Sequence, residues 1–291
     1  MQDFSVAWPA SMDLGEGAMW NAPSQRFFCV DIHGCTIYAW CPTTQIVQSW
    51  SMPERVGWII PRTDGDGFMV GLQSGFARVW LEPELRIEHW GCPHPNKPDI
   101  RLNDAKADCH GRIWAGSMNN RNPGQADGQL VRLDGKGKFE VLERNIHIAN
   151  GPVLAADGSW MLHNDSYLNT TYRYNLSKTG QLSDKTLWRS YTNAEGTPDG
   201  MTMDANGNVW IAFWGGSCVR QFDPNGLLLQ QINLPALQIT SMAFGGSNLD
   251  MLFVTSAKNG LNDVQLEEYP LSGCAFSVKT GVRGLHCNTF G

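Results

Sequence analysis

Short apolar segments, each preceded by a turn rich in glycine, asparagine and aspartate, recur along the chain. The two most similar copies are residues 108–116 and 204–212, in which an aspartate opens the turn and a tryptophan centres the strand. A period of forty to fifty residues is typical of a propeller blade, and Asn-Gly or Asp-Gly turns mark its hairpins. Six copies are found, at intervals of 41, 46, 46, 50 and 41 residues, anchored at Phe27, Phe68, Trp114, Trp160, Trp210 and Met251.

The pattern therefore predicts an all-β fold, a six-bladed β-propeller with four antiparallel strands in each blade. We expect residues 1–291 to form a single domain, because all-β rings reach this length and no linker divides the chain. Closure of the ring is expected to pair residues 4–8 with residues 275–278. Only residues 261–269 have a helical pattern, which predicts one or two turns.

Two segments interrupt the blade period. Residues 82–100 contain four prolines, and residues 119–128 are polar with two glycines. Loops at the cavity face of a propeller commonly cover the site, so we interpret residues 119–128 as a candidate lid. Surface excursions without a function are the alternative for both.

Four polar residues share a register with the repeats. Each precedes the anchor of its copy by ten or eleven positions, and they are Glu16, Asn103, Asn150 and Asp199. In a ring of equal units, a shared register places side chains at the same height around the central axis. Two carboxylates and two amides suit a hard divalent cation, and facing carboxylates repel each other unless a cation or a shared proton neutralises them. The sequence thus predicts a metal site in the channel.

Charge and composition narrow the function classes. The net charge is −6, with 22 Lys and Arg and no basic stripe, which argues against a nucleic-acid surface. No run of eighteen apolar residues would span a membrane, and residues 1–9 lack the features of a secretion signal. We therefore expect a cytoplasmic protein, monomeric in the absence of any contrary signal. The eight cysteines lack the spacing of a zinc site or redox pair.

Several motifs resemble those of the senescence marker protein 30, gluconolactonase and luciferin-regenerating enzyme family. The opening signature of that family resembles residues 14–20 (Leu-Gly-Glu-Gly-Ala-Met-Trp) together with residues 30–34. Further motifs follow in the family's order at residues 101–104 (Arg-Leu-Asn-Asp), 114–118, 150–152 (Asn-Gly-Pro), 198–201 (Pro-Asp-Gly-Met) and 244–246. Segments 214–216, 258–261 and 269–271 are similar to bacterial sugar-acid lactonases, so the resemblance covers nearly the whole chain.

This resemblance implies one divalent cation in the channel, held by Glu16, Asn150 and Asp199. It also implies that Arg101 and Asn103 bind substrate oxygens. Several relatives have an acidic residue shortly after the segment that corresponds to residues 114–118, whereas this chain has Asn119, Asn120 and Arg121 there. We expect Asn120 to replace the acid as a partner of a substrate hydroxyl. Oxygen ligands admit Ca, Mg, Mn, Zn or Fe(II).

The expected function is metal-dependent hydrolysis of an aldonolactone, such as xylonolactone, arabinonolactone or gluconolactone. Asp199 is expected to take the proton of the attacking water and return it to the leaving oxygen. The chain has no Gly-x-Ser-x-Gly segment, which disfavours a covalent acyl-enzyme. Two alternatives stay open: an esterase or organophosphate hydrolase on the same fold, and a non-catalytic propeller that binds a partner protein and contains calcium for structure only.

Three other residues attract attention but receive structural interpretations. His33 and His163 lie in predicted strands of the first and fourth copies, where we expect a satisfied core or channel histidine. Trp214 follows the fifth predicted strand beside two glycines, and we expect packing rather than a platform for a sugar ring.

Overall fold

The structure is a computed structural model that describes residues 4–291. Its strands form six four-stranded antiparallel sheets, and the sheets are the six blades of a β-propeller, as the repeats predict. Blade one follows β1 (Phe4–Trp8) and consists of β2 (Gly15–Asn21), β3 (Arg26–Asp31), β4 (Thr36–Trp40) and β5 (Val47–Ser51). Blade two consists of β6 (Val56–Pro61), β7 (Phe68–Leu72), β8 (Gly75–Trp80) and β9 (Arg86–Gly91).

The remaining blades follow in chain order. Blade three consists of β10 (Ile100–Ala107), β11 (Ile113–Asn119), β12 (Gly128–Leu133) and β13 (Phe139–Ile146). Blade four consists of β14 (Ala149–Leu154), β15 (Trp160–Asp165), β16 (Thr170–Leu176) and β17 (Leu182–Ser190). Blade five consists of β18 (Thr197–Met203), β19 (Val209–Trp214), β20 (Cys218–Phe222) and β21 (Leu228–Asn233). Blade six consists of β22 (Gln238–Gly245), β23 (Met251–Ala257), β24 (Ala275–Lys279) and the N-terminal strand β1.

The N-terminal strand closes the ring. Strand β1 pairs antiparallel with β24, so that Phe4 lies opposite Val278, which confirms the predicted closure. Between β23 and β24, α1 (Asp263–Glu268) begins with a capping box formed by Asn262 and Gln265, and it lies within the predicted helical segment. The segment 82–100 is not a simple excursion, because it contains strand β9.

The repeated turn has a structural cause. Oδ2 of Asp108 accepts a hydrogen bond from the indole Nε1 of Trp114 at 2.8 Å, and Oδ2 of Asp204 accepts one from Trp210 at 3.0 Å. Oδ1 of each aspartate accepts two backbone N–H bonds within the turn. The aspartate therefore fixes the hairpin between the first two strands of a blade and satisfies a fully buried indole.

Every innermost strand contains a β-bulge at its channel position. The register with the second strand shifts between Glu16 and Met19, Val56 and Trp58, Leu102 and Ala105, Asn150 and Val153, Pro198 and Met201, and Ile239 and Met242. A bulge changes the direction of the side chains beside it. Asn103 and Asp199 lie inside their bulges, whereas Glu16 and Asn150 form the last regular pair before theirs. The equal spacing of Glu16, Asn103 and Asp199 from their anchors thus conceals a difference of one residue along the strands.

The C-terminal residues lie across the end of the channel where the inner strands finish. Gly284 N donates to Leu249 O in blade six, and Phe290 N donates to Pro61 O in blade two. A cavity of about 370 Å³ lies at this end, lined by the final residues of the inner strands and by residues 285–288. The opposite end, where the inner strands begin, is called the mouth below. No helix among residues 4–291 has the length and hydrophobicity needed to cross a membrane.

Candidate active site in the channel

The predicted polar residues are buried around the channel at the mouth. Glu16, Asn103, Asn150 and Asp199 come from the first strands of blades one, three, four and five, and each is at most 6% exposed. Arg101, on the same strand as Asn103, is also buried. The inner strands of these four blades bring distant sequence positions into one polar site, where Arg101 bonds to Asn103, Asn103 bonds to Asn150, and Glu16 acts on the carboxyl group of Asp199.

Arg101 connects two of the predicted substrate residues. Its Nη1 donates to Oδ1 of Asn103 at 2.5 Å, and its Nε donates to Oδ1 of Asn120 at 2.8 Å. Its Nη2 makes no hydrogen bond to any described residue, and the same holds for Nδ2 of Asn120. Two N–H donors at the mouth are therefore available to a ligand.

A hydrogen-bond chain continues from Asn103 through blade four to blade five. Nδ2 of Asn103 donates to Oδ1 of Asn150 at 2.7 Å, and Nδ2 of Asn150 donates to Oγ of Ser166 at 2.9 Å. The Ser166 hydroxyl donates to the carbonyl oxygen of Pro198 at 2.7 Å, beside Asp199. This chain fixes the Asn150 amide with its oxygen toward Asn103 and its nitrogen toward Ser166.

The carboxyl groups of Glu16 and Asp199 both have raised pKa values. Burial, and then the charge of Asp104, raises the pKa of Glu16 to about 8, although the Gly17 N–H and the positive charge of Arg101 oppose the shift. Burial, followed by the charges of Glu16 and Asp104, raises the pKa of Asp199 well above its ordinary value. Without a cation, this arrangement favours retention of a proton on the carboxyl pair.

The donor set fits a divalent cation. Oδ1 of Asp199 is buried and has no hydrogen-bond partner among the described residues, so it is open to a cationic ligand. Together with the Glu16 carboxylate and the Asn150 amide oxygen, it offers the oxygen donors that hard cations prefer. No group of three or more His, Cys, Asp and Glu side chains within residues 4–291 is arranged to hold a metal ion. The predicted set contains only two such side chains, with an amide as the third ligand.

Two residues of this network were not singled out from the sequence. Asp104 is buried between blades three and four, where Oδ1 accepts from Ala105 N and Oδ2 accepts from Gly151 N. It thereby holds the bulge that follows Asn150. Asp104 is the last residue of the Arg-Leu-Asn-Asp motif, which is a signal in the sequence. Ser166 follows β15, and neither a motif nor the register of the repeats marks it.

The histidines lie outside this network. His163 is buried, and burial lowers its pKa to about 4, which keeps the ring neutral. Its Nε2 has no hydrogen-bond partner among the described residues, so the expectation of a satisfied histidine is wrong for this nitrogen. His33 contacts Asp13 and Asn259 through Nδ1, at 2.8 and 3.2 Å. Trp214 packs against a core cluster that includes Leu14, as expected for a packing role.

The segment 119–128 lies next to the mouth and is folded around one side chain. Nδ2 of Asn119 donates to Gln125 and Asp127, and Oδ1 accepts from the backbone of Arg121 and Asn122. The segment borders the site through the adjacent Asn120, whose side chain accepts from Arg101. Its role as a lid stays a prediction.

Comparison with known proteins gives matches over most of the chain. The family model described as SMP-30/Gluconolactonase/LRE-like region matches residues 14–258. The 6-deoxy-6-sulfogluconolactonase of Pseudomonas putida is 32% identical over 279 residues, which cover 93% of this chain and 92% of that protein. A pentonolactonase of Haloferax volcanii is 30% identical over 248 residues, covering 85% and 82%. The solved luciferin-regenerating enzyme superimposes with a TM-score of 0.93 at 30% identity, covering 100% of this chain and 99% of that chain.

Proposed function

We propose, because this chain belongs to the SMP-30/Gluconolactonase/LRE-like family, that it hydrolyses a sugar lactone to the open-chain aldonic acid with the help of a divalent cation. The observation that carries the proposal is the convergence of Glu16, Asn150 and Asp199 in a buried channel, with an unpartnered Asp199 oxygen. The names of the relatives include lactonases of pentose and sulfonated hexose derivatives, which supports a sugar lactone as the substrate class.

Lactone hydrolysis needs a polarised carbonyl, a deprotonated water and a proton for the leaving ring oxygen. A divalent cation, when bound, would polarise the carbonyl and lower the pKa of the attacking water. Glu16, Asn150 and Asp199 are the residues that would hold it. Asp199 is also the proposed proton acceptor, because its buried carboxylate has an oxygen without a hydrogen-bond partner among the described residues, which a water molecule could reach.

The remaining residues would orient the substrate. Nη2 of Arg101 and Nδ2 of Asn120 are free donors for ring or hydroxyl oxygens. Oδ1 of Asn103 has two lone pairs, of which Arg101 uses one, so it can also accept from a sugar hydroxyl. These polar groups favour a hydroxylated lactone over an apolar ester, because an apolar ligand would leave buried donors unpaired.

The test is a rate comparison with metal-stripped protein. Pentono- and hexonolactones, an aryl ester and an organophosphate triester are assayed by proton release, with Ca, Mg, Mn, Zn or Fe(II) added back separately. Asp199→Asn protein at equal concentration corrects for spontaneous lactone opening. We expect acceleration of at least one sugar lactone, lost on chelation and restored by a cation.

Three results would contradict the proposal. Faster hydrolysis of the aryl ester or triester than of every lactone would favour the esterase alternative. Activity that survives complete chelation would remove the metal from the reaction. A cation that stabilises the fold without accelerating any substrate over the Asp199→Asn control would favour a binding propeller.

A further inference from the structure

A second arginine occupies the position of Arg101 in the neighbouring blade. Arg101 directly precedes Leu102, which pairs with Ser117 just before the bulge of β10. Arg55 directly precedes Val56, which pairs with Leu72 just before the bulge of β6. Because blades two and three are adjacent, the two guanidinium groups approach the mouth from neighbouring inner strands at the same level.

Arg55 is held in place by neutral groups only. Its Nη1 donates to Oε1 of Gln73 at 3.0 Å, and Nε2 of Gln73 donates to the carbonyl of Pro98 at 2.7 Å. Its Nε is buried and has no hydrogen-bond partner in the described part of the chain. Ion pairs join other arginines to carboxylates within residues 4–291, but none of them includes Arg55 or Arg101. A buried N–H donor of a charged group is thus unsatisfied beside the site.

Blade two adds the arginine but no polar side chain at the bulge. The bulge residue is Gly57, where a Cβ would lie 2.5 Å from the carbonyl oxygen of Asn103. Any side chain there would collide with the backbone of blade three. Blade two therefore contributes Arg55, with its partner Gln73, to this part of the mouth in place of a side chain at the bulge.

A bound divalent cation would remove the charge compensation that Glu16 and Asp199 give to the arginines. Burial lowers the pKa of Arg101, and the positive charge of Arg55 lowers it further, while Glu16 and Asp199 oppose the shift. If those two carboxylates neutralise a divalent cation, they no longer compensate the guanidinium groups. Two arginines without carboxylate partners then favour an anionic ligand group, for which guanidinium is the preferred protein partner.

We propose that Arg55 and Arg101 together bind a negatively charged substituent of the lactone substrate, away from its reacting carbonyl. This inference rests on the proposed lactonase function and narrows its substrate class to lactones that carry a carboxylate, sulfonate or phosphate. Arg55 would select the substrate and would not take part in the reaction, which remains hydrolysis of the lactone ester bond.

The experiment compares glucono-1,5-lactone with its 6-phospho, 6-deoxy-6-sulfo and 6-carboxylate counterparts. We expect the parent to prefer at least one anionic lactone by roughly tenfold or more in kcat/KM, chiefly through KM. Arg55→Met should lower kcat/KM for that lactone at least tenfold more than for gluconolactone. The kcat/KM of Arg55→Lys for the anionic lactone should lie between those of the parent and Arg55→Met. Arg86→Met removes an equal charge from the exposed outer strand of the same blade and should leave the preference unchanged.

A second measurement does not depend on turnover. Inorganic sulfate and phosphate are titrated calorimetrically into the metal-loaded protein, and Arg55→Met should abolish a binding isotherm that Arg86→Met retains. Equal activity on neutral and anionic lactones, or equal losses on both for Arg55→Met, would overturn the anion site while the lactonase function stands. No hydrolysis of any lactone would reject the proposed function, and an Arg55-dependent anion isotherm would then show an anion site without lactonase chemistry.

Discussion

Nδ2 of Asn103 donates a 2.7 Å hydrogen bond to Oδ1 of Asn150 and so joins the bulges of blades three and four. The other end of the Asn150 amide is fixed by Ser166, which donates its only hydroxyl proton to the Pro198 carbonyl and must accept from Asn150. The network thereby decides which atom of the amide faces Asn103 and the channel. The proposed metal-binding orientation of Asn150 depends on a serine from the next strand connection.

Ser166→Ala tests this dependence. Loss of the acceptor frees the Asn150 amide to rotate, and we expect metal affinity to fall roughly 10- to 100-fold, as is common for residues that orient a ligand. Calorimetric titration of metal into stripped protein measures it. Ser183→Ala, at an exposed position of the same blade, is the control. Unchanged affinity in Ser166→Ala would show that Asn150 is oriented by other contacts or binds no metal.

Asp199→Asn tests the proposed proton transfer. The amide is nearly isosteric but accepts no proton, so kcat should fall roughly 10²- to 10⁴-fold. The metal-free variant should be no less stable than the parent, because it removes a buried carboxyl whose pKa is raised by burial and by the charge of Glu16. Lactone assays and thermal unfolding measure the two effects. Retention of more than about a tenth of kcat would exclude Asp199 as the proton acceptor.

Asp104→Asn provides a matched comparison for that variant. Both Asp104 oxygens accept backbone N–H bonds, so an amide would turn its NH₂ toward one of those donors. We expect lower thermal stability, by about 1–3 kcal/mol for one unsatisfied buried donor. The two substitutions should therefore have different effects. Asp199→Asn should lower kcat without lowering thermal stability, whereas the main effect of Asp104→Asn should be lower thermal stability.

Metal binding should stabilise the fold, because a cation neutralises facing carboxylates that repel each other. At a free cation concentration of about 100 Kd, linkage gives roughly 2.7 kcal/mol, or a Tm increase on the order of 5 °C. Glu16→Gln removes one charged ligand and should reduce the increase to less than about half. Scanning calorimetry with and without chelator measures both proteins. Equal increases in the two would show that the cation binds elsewhere.

His163 predicts a loss of stability in acid. Its pKa is lowered by burial from 6.5 to about 4, so the unfolded chain takes up a proton first as the pH falls. The stabilisation is complete above pH 6.5 and is lost as the pH falls through about 4, on the order of 3 kcal/mol in all. Unfolding free energies of His163→Gln should vary less over this interval than those of the parent. The exposed His110→Gln should keep the parent slope, and a parental slope in His163→Gln would refute the assignment.

The part of the fold that the sequence predicts is the part with signals inside one short segment. Asp108 and Trp114 lie six residues apart and bond to each other, so the repeat reports a hairpin that forms within one segment. The same spacing located the inner strands and thus Glu16, Asn103, Asn150 and Asp199. The segment 82–100 interrupts the apparent period because half of the residues of β9 are exposed, none is buried, and the strand lacks an apolar pattern.

The missed residues depend on contacts between blades. Asp104 meets Gly151 and Ser166 meets Pro198, pairs that are 47 and 32 residues apart, and nothing local marks either pair. Arg55 resembles an ordinary surface arginine until the bulges align it with Arg101. The one-residue difference in bulge position between Glu16 and Asp199 is likewise a property of pairing, which spacing along the chain does not reveal.

Phe290 anchors the C-terminal segment that closes the far end of the channel. Its side chain is fully buried in a cluster with Trp58 and Phe76, its ring lies 5.7 Å from that of Trp90, and its backbone bonds to Pro61 and Thr63. Truncation of a buried phenylalanine leaves a cavity and costs about 3–5 kcal/mol. Phe290→Ala should therefore lower Tm by roughly 5–10 °C. Leu285→Ala, at a residue 37% exposed in the same segment, should change Tm by less than about 2 °C. If thermal unfolding shows equal small effects for both, the segment does not contribute to the core of blades two and three.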